Sequence, residues 1–209
     1  MVFKRRDSRP LWRSALEMIW PSSGWKRAAT YVWHRMRRLP DTPERIARGL
    51  FAGVFISFTP LFGFHFLGAA GIAWAMRGNI PAALLGTFVG NPLTTPIFMT
   101  LSLETGYWLL GTENRLTLSQ VLPFFSEASA QIARNLLSFW TGGESDWTPL
   151  REFFTRIWFP MLAGSVIPGT IAGLIFQWGS LPLIRAWQRL RARHRDARIA
   201  AARARGTKP

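Results

Sequence analysis

Three long stretches without a charged residue dominate the pattern of apolar and polar positions along this chain. They cover residues 49–76, 78–103 and 157–184, and no Lys, Arg, Asp or Glu interrupts them. About 20 apolar residues suffice for a helix to cross a bilayer, so each stretch is long enough to span one. The pattern predicts an all-α, polytopic membrane protein whose membrane domain covers residues 41–185.

Proline and glycine interrupt the first two stretches near their middles. The first break runs from Thr59 to Gly63, and the second runs from Gly90 to Pro96. Irregular backbone at membrane depth is stable only where protein or trapped water satisfies its freed N–H and C=O groups. We therefore expect two broken, re-entrant-like helical hairpins, followed by a third apolar segment. The expected half-helices cover residues 46–58, 64–76, 79–90 and about 95–110.

A weak internal echo relates the two breaks. Gly53-Val54-Phe55-Ile56 precedes Pro60-Leu61, and Gly86-Thr87-Phe88-Val89 precedes Pro92-Leu93. Paired interruptions at corresponding places in two halves indicate a site near the middle of the membrane in transporter-like folds. In the third stretch, Gly164, Gly169 and Gly173 are small residues that let helices approach closely in lipid.

Polar segments flank and connect the apolar stretches. Residues 1–40 form a basic amphipathic segment, residues 104–156 a mixed helical connection, and residues 186–209 a basic tail that we expect to begin as a helix and end in disorder. Helical spacing over residues 25–39 places an apolar face opposite a basic one, which favours the plane of a membrane surface over packing on a soluble core. The proposed membrane-surface residues are Trp25, Lys26, Arg27, Arg35, Arg37 and Arg38.

The distribution of charge changes the interpretation of a strongly basic chain. The formal charge is +15, from 26 Lys and Arg against 11 Asp and Glu. Such a charge first suggests nucleic acid. However, 12 basic residues lie in residues 1–48 and nine in residues 185–209, so the positive charge flanks the apolar part. This pattern is typical of segments held at an anionic cytoplasmic leaflet. We therefore expect anionic membrane lipids as partners and no nucleic acid.

The charged ends also restrict the topology. The positive-inside rule places both termini in the cytoplasm, which requires an even number of full crossings. Three simple spans would put the termini on opposite sides. At least one interrupted stretch is therefore expected to enter and leave by the same face, while the side reached by residues 104–156 stays open.

The order of proline, glycine and asparagine resembles that of a bacterial membrane family. The matching residues are Pro43 to Gly49, Gly53-Val54-Phe55, Phe58-Thr59-Pro60 with Gly63, Arg77 to Pro81, Gly86-Thr87, and Asn91 to Thr94. Together they resemble DUF2062, a domain of unknown function, over roughly residues 40–185. The resemblance implies a small multi-pass protein of the bacterial inner membrane and supplies no activity. It also implies an amide such as glutamine at position 65, where this chain has His65.

The residues at the two breaks are the candidates for a substrate-binding pocket. Two helix N-termini that face one cavity would offer partial positive charge and free N–H groups, which suits phosphate or carboxylate. His65 would contact the anion or carry a proton, or serve as a neutral hydrogen-bonded residue. Asn91 would bind a ligand or cap a half-helix. The full candidate set is His65, Asn91, Thr94, Thr95, Pro60, Gly63, Pro92 and Pro96.

Two classes of function remain open at this point. The first is transport or translocation of a small or lipid-linked anionic substrate. The second is a non-catalytic adaptor or scaffold for envelope or polysaccharide assembly, with an assembly protein as partner. A homo-oligomer is compatible with either. The chain lacks cysteine and any clustered metal-ligand or nucleophile–base pattern, so we expect neither an enzyme nor a cofactor.

Overall fold

A computed structural model describes Thr30 and residues 41–112, 115–141 and 145–204. These residues form helices, turns and irregular connections without a strand, which confirms the all-α class. The proposed membrane-surface residues Trp25, Lys26, Arg27, Arg35, Arg37 and Arg38 lie outside the described residues, so that interpretation stays a prediction.

The apolar stretches are built from helices of very different length. Two of the elements are short, namely a 3₁₀ turn at Thr87–Val89 and a π-helical turn at Phe154–Trp158. Within the described ranges the α-helices are α1 Pro43–Ile56, α2 His65–Ala75, α3 Ile80–Gly86, α4 Thr95–Leu110, α5 Leu118–Thr141, α6 Thr148–Phe153 and α7 Phe159–Ala204.

Local sequence explains where α1 and α3 begin. Thr42 Oγ1 accepts a hydrogen bond from the Arg45 N–H, and a proline occupies the first position of α1. Asn79 Oδ1 likewise accepts a hydrogen bond from the Ala82 N–H at the start of α3. Such caps satisfy N–H groups that have no partner inside the helix. Neither α2 nor α4 has a side-chain cap, although each follows one of the two breaks.

The first three helices fold back on one another. The Arg77 carbonyl, just after α2, accepts hydrogen bonds from Arg45 Nε at 3.3 Å and Arg48 Nη2 at 3.1 Å, so α2 ends where α1 begins. The two glycines of the sequence echo meet where α1 packs on α3. A Cβ atom on Gly53 would lie 2.7 Å from the Gly86 Cα, closer than real Cβ atoms approach, so glycine permits this contact.

The long helix α7 runs antiparallel to α4 and then to α1. Its start packs on α4, where a Cβ on Gly164 would lie 2.0 Å from the Ser102 carbonyl oxygen. Further along, it packs on α1, where Gly173 meets the Phe51 ring and Arg185 pairs with Glu44 at 2.8 Å. The half-helices α4 and α1 therefore pack one after the other along the length of α7.

The connection between residues 104 and 156 packs against α4 and the start of α7. Buried side chains of α4, α5, α6 and α7 form one cluster that includes Tyr107, Val121, Phe153 and Met161. Tyr107 is almost fully buried, and its hydroxyl donates to the Arg156 carbonyl at 2.9 Å. This cluster attaches the polar connection to the ends of α4 and α7 that lie farthest from Arg185.

Helix α7 continues past Arg185 as far as Ala204, so the basic tail begins as the expected helix. It also passes through Pro168 and Pro182 without ending, because packing on α4 and α1 outweighs the backbone hydrogen bonds that proline removes. The segment expected as one helix over residues 79–90 ends as α3 at Gly86 and continues as a 3₁₀ turn.

One helical stretch is long and apolar enough to cross a membrane by length and composition. It is Thr148–Ala201, and 33% of its most apolar window is buried. The other apolar helices expose large side chains, with Leu67 70%, Trp74 76% and Trp108 67% exposed. Proteins surrounded by water rarely expose so many adjoining apolar residues, and such surfaces mark membrane or protein contacts.

Hydrogen bonds to Asp41 join the helices at the arginine-rich end of the fold. Its carboxylate accepts hydrogen bonds from Asn79 Nδ2 at 3.0 Å and from the Thr42 N–H, and it pairs with Arg45 at 3.2 Å. Its carbonyl accepts a hydrogen bond from Gln188 on α7. Burial raises the pKa of Asp41, but the hydrogen bonds and the Arg45 charge outweigh it, so the pKa lies below 3.8.

We expect Asp41→Asn to lower stability at neutral pH and to have little effect in acid. Because the folded pKa is depressed, the stabilising contribution of the carboxylate is complete well above pH 3.8 and is lost as the pH falls through the folded value. At pH 7 we expect the free energy of unfolding to fall by about 1 kcal/mol, a value that allows for the partial exposure of the carboxylate. Melting temperatures of both proteins across pH 3–7 measure it. Asp196→Asn, on an exposed carboxylate, is the matched control, and an equal loss there would contradict a specific role.

Candidate binding cleft between the two helix breaks

Side chains from other helices satisfy the carbonyl groups that the first break frees. The Phe58 carbonyl accepts a hydrogen bond from the buried Ser102 hydroxyl of α4 at 2.9 Å. The Pro60 carbonyl accepts one from Trp158 Nε1 at 3.2 Å. The break is therefore held against α4 and the start of α7 by specific contacts, as irregular backbone in an apolar environment requires.

Three side chains of the second break satisfy its backbone locally. Asn91 Oδ1 accepts hydrogen bonds from the Leu93 and Thr94 N–H groups, and its Nδ2 donates to the Val89 carbonyl. The Thr94 hydroxyl accepts from the Asn91 N–H, and the Thr95 hydroxyl donates to the Asn91 carbonyl at 2.8 Å. The Asn91 side chain thus replaces missing backbone partners within its own turn, and α4 itself has no side-chain cap.

A cleft of about 320 Å³ lies between the two breaks. Polar and small side chains from both breaks line it, together with two phenylalanines. The lining residues are Ser57, Phe62, Gly63, His65, Phe66, Thr87, Gly90 and Thr95. The volume is at the lower end of the range found for small-molecule sites.

The starts of α2 and α4 both reach this cleft, since His65 and Thr95 are the first residues of those helices. In the described part of the chain, the N–H groups of His65, Phe66 and Leu67 have no backbone acceptor, and the first intrahelical bond of α2 is Gly68 N–H to Phe64. Free N–H groups at a helix start attract anions. Because His65 and Phe66 line the cleft, the start of α2 places free N–H groups beside it.

His65 lies between the cleft and the first break. Its Nε2 is 3.3 Å from the Thr59 carbonyl, which makes Nε2 the donor, and its ring meets Phe62 edge-on. The side chain thus helps to close the first break while one edge lines the cleft. With Nε2 as the donor, Nδ1 is left as an acceptor or, when the ring is protonated, as a second donor.

The eight candidate residues occupy three kinds of position. Gly63, His65 and Thr95 line the cleft. Asn91 and Thr94 form the turn before α4, and Pro60 is buried with its carbonyl engaged by Trp158. Pro92 and Pro96 are exposed. The geometry therefore brings Gly63, His65 and Thr95 together and leaves the other five candidates outside the lining of the cleft.

Sequence reasoning did not select five of the lining residues. The Ser57 hydroxyl donates to the Gly53 carbonyl at 2.9 Å. Thr87 donates to the Leu84 carbonyl in the same way. Ser57 and Thr87 lie just before the two breaks, and that position was the available signal. Phe62 and Gly90 lie within the breaks themselves, which is the same kind of signal, whereas only the folded chain brings Phe66 to the cleft.

A comparison with protein-family models matches residues 26–193 to a family described as "Uncharacterized protein conserved in bacteria". The match covers most of the chain and includes both breaks, the cleft and most of α7. The chain belongs to the DUF2062 family. This confirms the resemblance drawn from the proline, glycine and asparagine residues. Searches of curated proteins and of solved structures found no match. Within this DUF2062 protein, the described residues contain no group of three or more His, Cys, Asp or Glu that would hold a metal ion.

Proposed function

We propose that this DUF2062 protein is a multi-pass protein of the bacterial inner membrane that transports or translocates a small or lipid-linked anionic substrate. The observation that carries the proposal is the cleft between the two breaks, into which two helix starts open. Neither the family description nor the length of α7 specifies this activity, so the proposal rests on geometry and chemistry.

Membrane placement follows from the exposed surface and the positions of the arginines. Exposed apolar side chains cover α2, α4 and the first half of α7. Arg45, Arg48, Arg77 and Arg185 gather at one end, through contacts between Arg77 and α1 and between Arg185 and Glu44. The positive-inside rule assigns that end to the cytoplasm.

The same contacts support a topology with two full crossings. Helices α1 and α2 would enter and leave by the cytoplasmic face, because α2 ends beside the start of α1. Helices α3 and α4 would cross together with the second break between them, and α7 would cross back. Both termini would then be cytoplasmic, and residues 111–147 would lie on the opposite side.

The depth of the cleft suits a site inside the bilayer. Gly169 of α7 packs on Phe55 and Phe58 beside the first break. The centre of the apolar stretch 157–184 falls one to two residues further along, between Thr170 and Ile171. Transporters often place a substrate site near the middle of the membrane, where half-helix N-termini point at anionic groups. The free N–H groups at the start of α2 are the proposed anion donors, and His65 is their neighbour.

A specific observation also favours the adaptor alternative. The hydroxyls of Ser57, Thr87 and Thr95 already donate to nearby carbonyls. Ser102 and Trp158 also fix the first break to its neighbours. Breaks that serve only architecture would be held in this way and would exclude water. Water access to the cleft therefore distinguishes the two functions.

We expect a cysteine at position 95 to react with a water-soluble thiol reagent about ten times faster than one at position 101, because the reactive thiolate needs a polar environment. The chain contains no cysteine, so Thr95→Cys and Leu101→Cys each carry a single thiol. Both residues lie on α4, and Leu101 is 48% exposed on its apolar surface. The measurement is the labelling rate in intact membranes.

Equal and slow labelling at both positions would refute the water-accessible cleft and leave the adaptor function.

A second experiment addresses the anion. We expect His65→Leu to reduce the anionic lipid or small anion that purifies with the protein, as detected by mass spectrometry. Unchanged co-purification, together with full complementation of a deletion by His65→Leu, would exclude a role for that side chain.

A further inference from the structure

A second cleft, of about 480 Å³, lies at the opposite end of α2 from the first break. Three arginines surround it with a tryptophan, an isoleucine and a glycine. The lining residues are Arg45, Arg48, Trp74, Arg77, Gly78 and Ile80. None of them belongs to the cleft between the breaks. We call this surface the arginine cleft.

The positive charge of the arginine cleft is only partly neutralised. Arg45 pairs with Asp41 at 3.2 Å. Glu44, one turn before Arg48, is engaged by Arg185 at 2.8 Å. Among the residues that the structure describes, no carboxylate forms a salt bridge with Arg48 or Arg77. The cleft thus holds guanidinium groups in excess of carboxylates.

Arg48 has an unsatisfied donor. Its Nη2 donates to the Arg77 carbonyl, but its Nε is buried without a hydrogen-bond partner in the described part of the chain. Buried donors are nearly always paired with protein, water or an ion, so an unpaired one needs an explanation. A bound acceptor would supply the missing partner once the Arg48 side chain turned this donor toward the cleft that it lines.

The backbone of Arg77 gives an independent reason to assign its side chain a role. Among the described residues other than glycine, Arg77 has its backbone in the left-handed region, with φ 51°. It follows the last turn of α2, where the Gly78 N–H bonds to the Ala73 carbonyl at 2.7 Å. Glycine is the residue favoured at this position of a helix end, since any Cβ is strained there. Retaining arginine at a strained position is typical of a functional side chain.

We propose that the arginine cleft binds the phosphate group of an anionic membrane lipid headgroup. Arginine donates to phosphate oxygens in a planar, charge-assisted geometry, and Arg48 and Arg77 would supply these donors. Trp74 is 76% exposed beside them, and a tryptophan next to basic residues is typical of the membrane–water interface. The exposed apolar side chains of Trp74 and Ile80 would contact the acyl chains of the same lipid. The inference uses the membrane placement proposed above, but it does not depend on transport.

The test measures binding of phosphatidylglycerol to the full-length protein by native mass spectrometry, with phosphatidylcholine as the zwitterionic comparison. We expect Arg77→Gly to weaken phosphatidylglycerol binding roughly tenfold, because a charge-assisted donor is lost. The same variant should melt at an equal or higher temperature, because glycine relieves the left-handed strain. A merely structural role for Arg77 would not weaken binding while preserving stability.

Two further variants complete the test. Arg48→Gln should also weaken phosphatidylglycerol binding, whereas Arg193→Gln removes the same charge from exposed surface of α7 outside the cleft and should change binding less than twofold. Equal losses in all three variants would indicate diffuse charge attraction and overturn the site, as would equal binding of phosphatidylcholine.

Displacement of the lipid by millimolar inorganic phosphate would identify free phosphate as the ligand instead. Failure of Thr95→Cys labelling would reject the cleft between the breaks without affecting this result.

Discussion

Gly164→Ala is expected to destabilise the protein by about 3 kcal/mol, because one added methyl group has no space between α7 and α4. A Cβ atom at this position would lie 2.0 Å from the Ser102 carbonyl oxygen and 2.2 Å from the Gly106 N. Both neighbours are backbone atoms, so no rotamer change can relieve the clash. The helices would have to separate along their closest contact, which also positions Ser102 to hold the first break.

The measurement is the melting temperature of the purified protein in detergent, where the expected fall is roughly 6–12 °C for a domain of this size. Gly179→Ala is the matched control. It lies on the same helix, and a Cβ there would meet nothing within 4 Å. The control is expected to melt at the wild-type temperature or slightly above it, because alanine favours helix. Equal melting temperatures for the two variants would show that α4 and α7 do not pack as described.

Thr95→Phe is expected to narrow the cleft between the breaks. Thr95 lines the cleft from the first residue of α4, so a phenyl ring at this position would occupy part of the cleft and hinder access to it. We expect labelling of a reporter cysteine, Thr87→Cys, which also lines the cleft, to slow about tenfold when Thr95→Phe is added, since a thiol shielded from water loses its reactive thiolate. The measurement is again the labelling rate in membranes.

Thr100→Phe is the matched control for this substitution. Both threonines lie on α4, and both hydroxyls donate to the carbonyl four residues earlier, so each variant loses the same kind of hydrogen bond. Thr100 is exposed and does not line the cleft. Its replacement should leave the labelling of Thr87→Cys unchanged. Equal slowing by both variants would show that the effect is a general disturbance of α4.

The sequence predicted the helix ends beside the breaks closely. The expected half-helix over residues 64–76 is α2, His65–Ala75, and the one over about residues 95–110 is α4, Thr95–Leu110. These ends follow proline and glycine, which act on the backbone within about four residues. The 3₁₀ turn after Gly86 was not predicted, because no local residue marks it and packing on α1 decides where α3 ends.

The candidate site was predicted less completely. His65 and Thr95 were selected because they follow the breaks, and both line the cleft. Asn91 was selected for the same reason, but its side chain forms hydrogen bonds within its own turn. Sequence position alone does not distinguish these outcomes, because the direction of a side chain in a turn depends on which backbone groups lack partners.

By itself, the sequence determined the all-α class, the family, the apolar stretches and the placement of basic residues at both ends. Only the tertiary structure decided that Gly53 meets Gly86, and that the Arg77 carbonyl accepts a hydrogen bond from Arg48 beside the arginine cleft. Helix formation and termination depend on dihedral preferences and hydrogen bonds between near neighbours, which a sequence states directly. The two clefts instead join residues about 30 positions apart, and their proximity depends on how closely glycine lets the helix backbones approach.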